Sequence, residues 1–231
     1  MTVRQLRKSL KKSSPGLRVE RSMWEQGWHV VTGVDEVGKG AWAGPLTVGA
    51  AIVPKDRRIY KVRDSKLLSA DEREEMFDRI ADWCEAWAVG HASHAECDEL
   101  GMSDAQRLAT RRALDGLGVH ADRVLVDGKW DFVGDGRSVT IVKGERVSLS
   151  IAAASILAKV TRDRMMLELD EQFPGYWFGE NKGYPCHRHR SALQMLGPSS
   201  IHRRSWAFMD NLSWRGIERV VPDDGQGTLF V

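Results

Sequence analysis

Cysteine is scarce in this chain, which contains only Cys84, Cys97 and Cys186. An odd number of cysteines without CxxC spacing argues against both a disulfide framework and a zinc site. We therefore expect all three to be reduced residues that contribute to packing.

Long apolar segments are also missing. The sequence has no run of about eighteen apolar residues, and its N-terminus lacks the apolar core of a signal peptide. These absences predict a cytoplasmic protein that makes no membrane contact. The net charge is only +2, so any affinity for a polyanion must come from local clusters of charge.

The length and composition fit one folded domain with a hydrophobic core. Of the 231 residues, 42% are hydrophobic and 29% are charged, which are ordinary values for a globular protein. We expect a basic N-terminal extension over 1–27, the main folded domain over 28–212 and a tail over 213–231. The first twenty-one residues favour a solvated, partly disordered segment, with an auxiliary nucleic-acid contact as the second interpretation and a membrane-surface helix as the third.

Short β-branched segments alternate with amphipathic ones, which indicates an α/β or α+β domain. We expect five strands, of which the first two form a hairpin-like pair: 29–34, 46–53, 86–91, 123–128 and 139–142. Ser69 and Glu72 have the spacing of a helix-capping pair, so a helix should start there. Further helices are expected at 103–117, 150–169, 190–196 and 203–211. The alanine-rich segment 150–169 is predicted to be the central helix.

Four acidic residues stand beside glycines at the predicted strand ends: Asp35, Glu36, Asp127 and Glu145. Asp35 and Glu36 are neighbours, so they can converge only if their strand ends at that point. Any one of these acids alone would be read as a capping or surface residue. Four together repel one another unless a cation intervenes, and all-oxygen ligation suits magnesium or manganese. The pattern predicts metal-assisted phosphoryl transfer.

A second motif competes for the same stretch. Residues 33–39 fit the first part of the phosphate-binding pattern GxxxxGK, but Gly40 occupies the position that needs serine or threonine. Asp35 and Glu36 would lie inside such a loop, where they would repel nucleotide phosphates. A phosphate-loop NTPase is therefore a weak alternative.

Residues 33–40 (GVDEVGKG) and 43–45 (AGP) closely resemble the first signature of the type 2 ribonucleases H, the ribonuclease HII family. The resemblance continues in order through Asp64-Ser65-Lys66-Leu67, Val126-Asp127-Gly128, Lys143-Gly144-Glu145, the helix 151–163 and Lys182-Gly183-Tyr184. It covers roughly residues 28–200, and motifs in that order are hard to obtain by chance. The fold it implies is a ribonuclease-H-like mixed β-sheet flanked by helices, with a small helical C-terminal subdomain.

The resemblance assigns roles to individual residues. It makes four of them catalytic and metal-binding carboxylates: Asp35, Glu36, Asp127 and Glu145. The loop Gly38-Lys39-Gly40 would read the ribose 2′-hydroxyl through its backbone, and Tyr184 would pack on the sugar of the following nucleotide. Three residues are candidates for phosphate contact or for support of the site: Ser65, Lys66 and Lys159. Arg162 and Asp163 are interpreted as a structural pair.

Two site positions depart from the pattern of the family. Arginine is usual where Lys39 stands, so a bidentate phosphate contact is replaced by a point charge. Aspartate is usual where Glu145 stands, and the additional methylene could shift a metal ion or change the preference between magnesium and manganese.

The activity implied by the resemblance is hydrolysis of the RNA strand of RNA/DNA hybrids. It includes cleavage on the 5′ side of single ribonucleotides in duplex DNA, which leaves 3′-hydroxyl and 5′-phosphate ends. The cofactor would be Mn²⁺ or Mg²⁺, and the protein is expected to be a monomer. The alternative from a different class is a protein that binds hybrids without cutting them.

The C-terminal residues carry a separate hypothesis. Gln226, Leu229 and Phe230 are similar to the short peptide by which bacterial replication and repair proteins bind the sliding clamp. Exposed apolar side chains on a tail favour docking into a groove. A packed or frayed terminus is the alternative, with about equal weight.

Overall fold

The computed structural model describes residues 15–57, 59, 62 and 70–212. Its sheet contains five strands: β1 (Val31–Val37), β2 (Leu46–Ile52), β3 (Ala86–Ala92), β4 (Arg123–Asp127) and β5 (Ser138–Ile141). Their spatial order is β3-β2-β1-β4-β5. The first three strands are antiparallel neighbours, while β4 runs parallel to β1 and β5 parallel to β4. The mixed sheet has the strands that the sequence predicted, shifted by one to three residues at their ends.

The largest shift is in β1, which was expected to end before Asp35 so that the two acids could converge. That expectation is wrong, because β1 continues to Val37. Its pairing with β2 runs from Thr32 opposite Ile52 to Val37 opposite Thr47, whereas its pairing with β4 ends at Val34 opposite Val126. The strand β1 therefore stays paired with β2 for three residues after its pairing with β4 has ended.

Gly33 lies inside β1, opposite Ala51. A Cβ atom at Gly33 would stand 2.2 Å from the carbonyl carbon of Ser150, so glycine is needed for close packing of strand against helix. Residues 33–37 are consequently sheet rather than a phosphate-cradling turn. The phosphate-loop NTPase interpretation is wrong for this reason.

Six α-helices accompany the sheet in the described residues: α1 (Arg18–Glu25), α2 (Ala70–Trp83), α3 (His94–Gly116), α4 (Leu149–Gln172), α5 (Phe178–Asn181) and α6 (His187–Leu196). Two 3₁₀ helices span Gly144–Arg146 and Ala207–Asn211. Across the part of the chain that the structure describes, no helix is long and apolar enough to cross a membrane.

Two apolar layers enclose the sheet. The helices α2 and α4 pack on one face, where Ala51, Ile80 and Ile156 are fully buried. The helix α3 packs on the other face, where Ala50 and Ala109 are fully buried. Since Ala50 and Ala51 are successive residues of β2, their burial on opposite faces follows the two-residue period of a strand. The sheet is therefore covered on both sides.

The helix α4 is the central helix predicted from its alanines. A Cβ atom at Gly49 of β2 would stand 2.3 Å from the carbonyl oxygen of Ala154, which shows how closely the helix crosses the sheet. The C-terminal end of α4 joins a smaller apolar core in which Met166, Tyr176 and Phe178 are buried. This core holds the short C-terminal helices against the main body.

Several helix boundaries differ from those expected. The helix α3 begins at His94 rather than near 103, because Ser93 and Glu96 form a capping box and the chain passes through a non-helical kink at Gly101 (φ 76°). The helix α5 was not anticipated, and α6 begins three residues earlier than expected. The segment predicted as helix 203–211 contains only the 3₁₀ helix.

The folded body also includes residues before 28. Gly16 forms a β-bridge with Ser148, Leu17 is buried in the main core, and α1 packs through Met23 and Trp24 against the start of β1. Residues 15–27 are thus part of the folded body rather than a solvated tail. The first fourteen residues lie outside the described part of the chain.

Candidate active site

Asp35 stands where β1 has passed the end of its pairing with β4. Its carboxylate accepts a hydrogen bond from the backbone N–H of Glu36 at 2.9 Å and another from the hydroxyl of Ser155 on α4. Burial, reinforced by the charges of Glu36 and Asp127, raises the pKa of Asp35 to about 8. Burial is the largest cause of this shift, and the two neighbouring carboxylates add to it.

Asp127 is the last residue of β4 and follows Val126, the partner of Val34 in β1. The register of the two strands therefore places Asp127 next to Asp35. The Oδ1 atom of Asp127 accepts a hydrogen bond of 2.7 Å from the backbone N–H of Gly144. The backbone N–H of Gly128 donates to the carbonyl of Ile141 at 3.0 Å, which extends the pairing of β4 with β5. Both contacts hold the segment after β5 against the end of β4.

That segment carries Glu145 within the 3₁₀ helix Gly144–Arg146. The side chain of Glu145 is buried, and its Oε1 lies 3.4 Å from Nε of Arg146. The backbone N–H of Ser148 donates to the carbonyl of Gly144 at 2.8 Å, and Ser148 is the N-cap of α4. The start of α4 therefore holds Gly144, the residue before Glu145, against Asp127.

The four predicted acids are gathered at one end of the sheet but are not arranged as a metal-binding group. Within the described ranges, no three His, Cys, Asp or Glu side chains are placed to hold a metal ion together. Asp35 and Asp127 each turn an oxygen toward a backbone amide instead. The donor set nevertheless fits Mg²⁺ or Mn²⁺, because it consists of oxygen atoms and because a divalent cation would offset the mutual repulsion of Asp35, Glu36 and Asp127, which adds to burial in raising the pKa of Asp35. The four-carboxylate metal site stays a prediction.

The loop after β1 is tied to the chain around Tyr184. Gly38 has a positive φ of 85°, and its backbone N–H donates to the hydroxyl oxygen of Tyr184 at 2.8 Å. A Cβ atom at Gly38 would stand 2.3 Å from Nε of Arg162, whereas a Cβ atom at Gly40 would meet no atom within 4 Å. Gly38 is thus needed for packing, while Gly40 leaves the backbone open to a ligand.

Two fully buried arginines hold this loop by its carbonyl groups. Arg162 of α4 donates to the carbonyls of Pro45 and Lys182, both at 2.8 Å. Arg203 donates to the carbonyl of Gly44 at 3.0 and 3.1 Å and to that of Lys39 at 3.1 Å. Burial lowers the pKa of Arg162 to about 10 and also lowers that of Arg203. Their hydrogen bonds make the loop a fixed part of the site.

A pair of buried histidines, His189 and His202, supports the backbone of Tyr184. Nε2 of His189 and Nε2 of His202 are 2.9 Å apart, and Nδ1 of His189 lies 3.0 Å from the carbonyl oxygen of Tyr184. The backbone N–H of Ser199 donates to Nδ1 of His202 at 2.9 Å. These partners require two neutral rings: His202 donates to His189, and His189 donates to Tyr184. Burial lowers the pKa of both rings, that of His202 to about 3.

Lys159, a predicted phosphate contact, forms a partly buried ion pair with Asp163 one helical turn away. Burial lowers the pKa of this lysine. Arg162 is structural, as expected, but its partners are the loop carbonyls rather than Asp163. Contact of Lys159 with a phosphate would require it to leave Asp163.

Five of the predicted site residues lie outside the described part of the chain. They are Ser65, Lys66, Gln226, Leu229 and Phe230.

Sequence reasoning found Arg162 as a structural residue but missed Arg203 and the pair His189 and His202. The signal for Arg162 is its place on one face of α4 with the buried residues Ser155, Ala158 and Met166, because a charge on such a face needs a partner. Nothing in the local sequence distinguishes Arg203, since its partners are about 160 residues away.

Comparison with known proteins identifies the family. The family model described as Ribonuclease HII matches residues 32–209. The chain belongs to the ribonuclease HII family. It is 46% identical over 209 residues to ribonuclease HII of Streptomyces avermitilis, covering 89% of this chain and 90% of that protein. Identity to ribonuclease HII of Geobacter metallireducens is 45% over 194 residues, covering 81% and 91%.

Solved structures agree with the fold. Ribonuclease H2 from Pyrococcus horikoshii superposes with a TM-score of 0.66 at 26% identity, covering 80% of this chain and 97% of that one. The ribonuclease HII of Archaeoglobus fulgidus, solved in complex with PCNA, gives 0.65 at 27% identity, covering 81% and 98%. The predicted ribonuclease-H-like mixed sheet is confirmed. The protein is therefore a ribonuclease H, a divalent-metal-dependent nuclease that acts on RNA/DNA substrates.

Proposed function

We propose that this ribonuclease H recognises single ribonucleotides in duplex DNA as well as longer hybrids, and cuts on the 5′ side of the ribonucleotide to leave 3′-hydroxyl and 5′-phosphate ends. The substrate would lie across the end of the sheet that carries Asp35 and Asp127. It would be gripped by the loop after β1 and by Tyr184.

The hydrogen bond from Gly38 to Tyr184 carries this proposal. It joins the backbone that would contact a ribose 2′-hydroxyl to the ring that would pack on the next sugar. This hydrogen bond sets the spacing between the two contacts. A link of fixed length suits recognition of one ribonucleotide followed by one deoxyribonucleotide.

Each part of the site has a proposed task. Four carboxylates would hold the cofactor: Asp35, Glu36, Asp127 and Glu145. Divalent ions bound in such sites promote attack of water on phosphorus and neutralise the charge of the leaving oxygen. Gly40 exposes backbone to the ribose, and Arg162 and Arg203 keep that backbone in place. We propose Mg²⁺ or Mn²⁺ as the ion, because the donor set is all oxygen.

The remaining partners are also proposals. The enzyme would act as a monomer in the cytoplasm, where its catalytic domain would comprise the residues from 15 to 212 and the tail 213–231 would extend from it. Because the Archaeoglobus fulgidus relative was solved with PCNA, we propose that the tail binds a sliding clamp through Gln226, Leu229 and Phe230.

The direct test uses a duplex DNA containing one ribonucleotide, labelled at the 5′ end of the strand that carries it. We expect one product ending in a 3′-hydroxyl immediately before the ribonucleotide, formed only with Mg²⁺ or Mn²⁺. Asp35→Asn should abolish cleavage while leaving binding measurable, and an all-DNA duplex should stay intact. Cleavage of long hybrids alone, or a cut on the 3′ side, would contradict the proposal.

A further inference from the structure

Trp130 joins the loop after β1 to helix α3. It lies three residues after Asp127 in the chain. The ammonium nitrogen of Lys39 is 4.9 Å from the centre of a Trp130 ring, and the guanidinium carbon of Arg107 on α3 is 5.3 Å from it. One indole thus contacts a cation from each of two distant segments.

The ring itself is held in place. Trp130 is half-buried, packs on the core that lies under α3 and contacts Phe132 with ring centres 5.9 Å apart. Lys39 is exposed and makes no ion pair within the described residues. Its contact with Trp130 is therefore what fixes the position of its charge there.

A lysine charge on a four-carbon stem needs such a support. The stem samples many rotamers, and ordering it costs conformational entropy when a ligand binds. An indole face attracts an ammonium within about 6 Å, by roughly 0.5–1 kcal/mol at exposed sites. By restricting the Lys39 side chain in the free enzyme, Trp130 would reduce the conformational entropy that is lost when the substrate binds.

The two cations at the ring differ in their partners. Arg107 is paired with Asp104 at 2.7 Å, although both side chains are largely exposed, whereas Lys39 makes no ion pair within the described residues. The charge of Lys39 is therefore the one left for an anion, and a phosphate of a nucleic-acid backbone is such an anion.

We propose that Trp130 is a positioning residue that fixes the Lys39 ammonium, with Arg107 beside it, to bind a backbone phosphate of the substrate duplex. The inference rests on the proposed substrate contact of Lys39. It adds a residue and a mechanism that the family resemblance does not assign.

The test is a double-mutant cycle with Trp130→Leu, Lys39→Gln and the double variant. Binding of a labelled RNA/DNA hybrid is measured by fluorescence anisotropy in EDTA over a range of NaCl concentrations, and KM and kcat are measured with Mn²⁺. Trp130→Leu should weaken binding about two- to fivefold. It should raise KM more than it changes kcat. In the double variant the loss should be no greater than in Lys39→Gln, because the ring acts through the lysine.

Two further variants keep the result interpretable. Trp130→Phe preserves an aromatic face and packing, so it should retain most of the affinity. Trp28→Leu is the matched control, because Trp28 also stacks under a cation, Arg123 at 3.8 Å, but at the opposite end of β4. It should leave hybrid affinity unchanged.

Three results would overturn the inference. They are an unchanged affinity in Trp130→Leu, additive losses in the double variant, and an equal loss in Trp28→Leu. Additive losses would mean that Trp130 acts independently of Lys39. The proposed function is tested separately by the position of the cut that the unmodified enzyme makes, so either idea can fail without the other.

Discussion

Glu20 and Ser148, separated by 128 positions, meet in the interior at the start of helix α4. The hydroxyl of Ser148 donates to Oε1 of Glu20 at 2.6 Å. The same oxygen accepts the backbone N–H and the hydroxyl of Ser150, each at 2.8 Å. Glu20 is fully buried, so a carboxylate from α1 satisfies the N-terminal donors of α4 and benefits from its dipole. The helix α1 is thereby an integral part of the fold.

We expect Glu20→Ala to destabilise the protein by about 2–3 kcal/mol, because three buried donors lose their shared acceptor. For a chain of this size, the thermal midpoint should fall by roughly 4–10 °C, as measured by calorimetry or circular dichroism. The control is Glu25→Ala in the last turn of α1, where the side chain is exposed and the change should stay within about 0.5 kcal/mol. Equal midpoints for both variants would show that α1 contributes nothing through this contact.

Glu20 also illustrates what local sequence could not reveal. The periodic apolar pattern predicted the strands and α4, because each of those elements buries its own residues against the sheet. The same pattern located the strand ends and therefore the acids that stand there. Glu20 and Arg203 look like surface charges in sequence, and only partners more than a hundred residues away make them interior residues. The continuation of β1 to Val37 likewise depends on the partner strand β2.

The histidine pair predicts a loss of stability in mild acid. In the folded protein, burial lowers the pKa of His202 to about 3, whereas the unfolded value is about 6.5. The unfolded state therefore binds the proton first. The contribution of neutral His202 to the free energy of unfolding is fully present above pH 6.5 and is lost as the pH falls toward 3. For His202 alone the loss between pH 7 and 5 is about 2 kcal/mol.

Chemical denaturation at pH 7 and pH 5 measures this effect. The pH dependence should shrink in His202→Gln, which cannot take up the proton. The control His187→Gln, exposed in the first turn of α6, should keep the pH dependence of the unmodified protein. If His202→Gln responds to pH as the unmodified protein does, the buried pair is not the cause.

Asp35 predicts that metal binding depends on pH. Its pKa of about 8 without metal means that the carboxyl is mostly protonated at pH 7, so the proton must pass to the solvent when the carboxylate binds a cation. The apparent affinity for Mn²⁺ should rise up to about tenfold per pH unit below 8 and level off above it. Titration calorimetry in two buffers of different ionisation enthalpy should detect about one proton released. Affinity that is flat from pH 6 to 8, with no proton release, would exclude this coupling.

The clamp hypothesis predicts that clamp binding can be lost without loss of hybrid cleavage. Deleting residues 226–231 should abolish measurable affinity for a bacterial sliding clamp and leave cleavage of a short hybrid unchanged. Leu229→Ala with Phe230→Ala should reproduce the deletion, while Thr228→Ala, at one of the two positions between Gln226 and Leu229, should bind as the full chain does. Unchanged clamp affinity after the deletion would rule the hypothesis out.

The bond between Gly38 and Tyr184 makes two separable predictions for the aromatic residue. Tyr184→Ala removes both the ring and the acceptor for the Gly38 N–H, so cleavage at a junction from RNA to DNA should fall about tenfold more than cleavage of a continuous hybrid. Tyr184→Phe keeps the ring and removes only the acceptor at 2.8 Å. It should lower kcat/KM about fivefold on both substrates, because the loop loses one hydrogen bond.

Comparison of these two variants distinguishes packing on the sugar from positioning of the loop. A loss specific to the junction in Tyr184→Ala but absent in Tyr184→Phe assigns recognition of deoxyribose to the ring. A junction-specific loss in both variants would assign it to the loop that the hydroxyl holds. Equal losses on both substrates in Tyr184→Ala would remove Tyr184 from recognition of the junction, and the fixed link to Gly38 would then serve only the stability of the site.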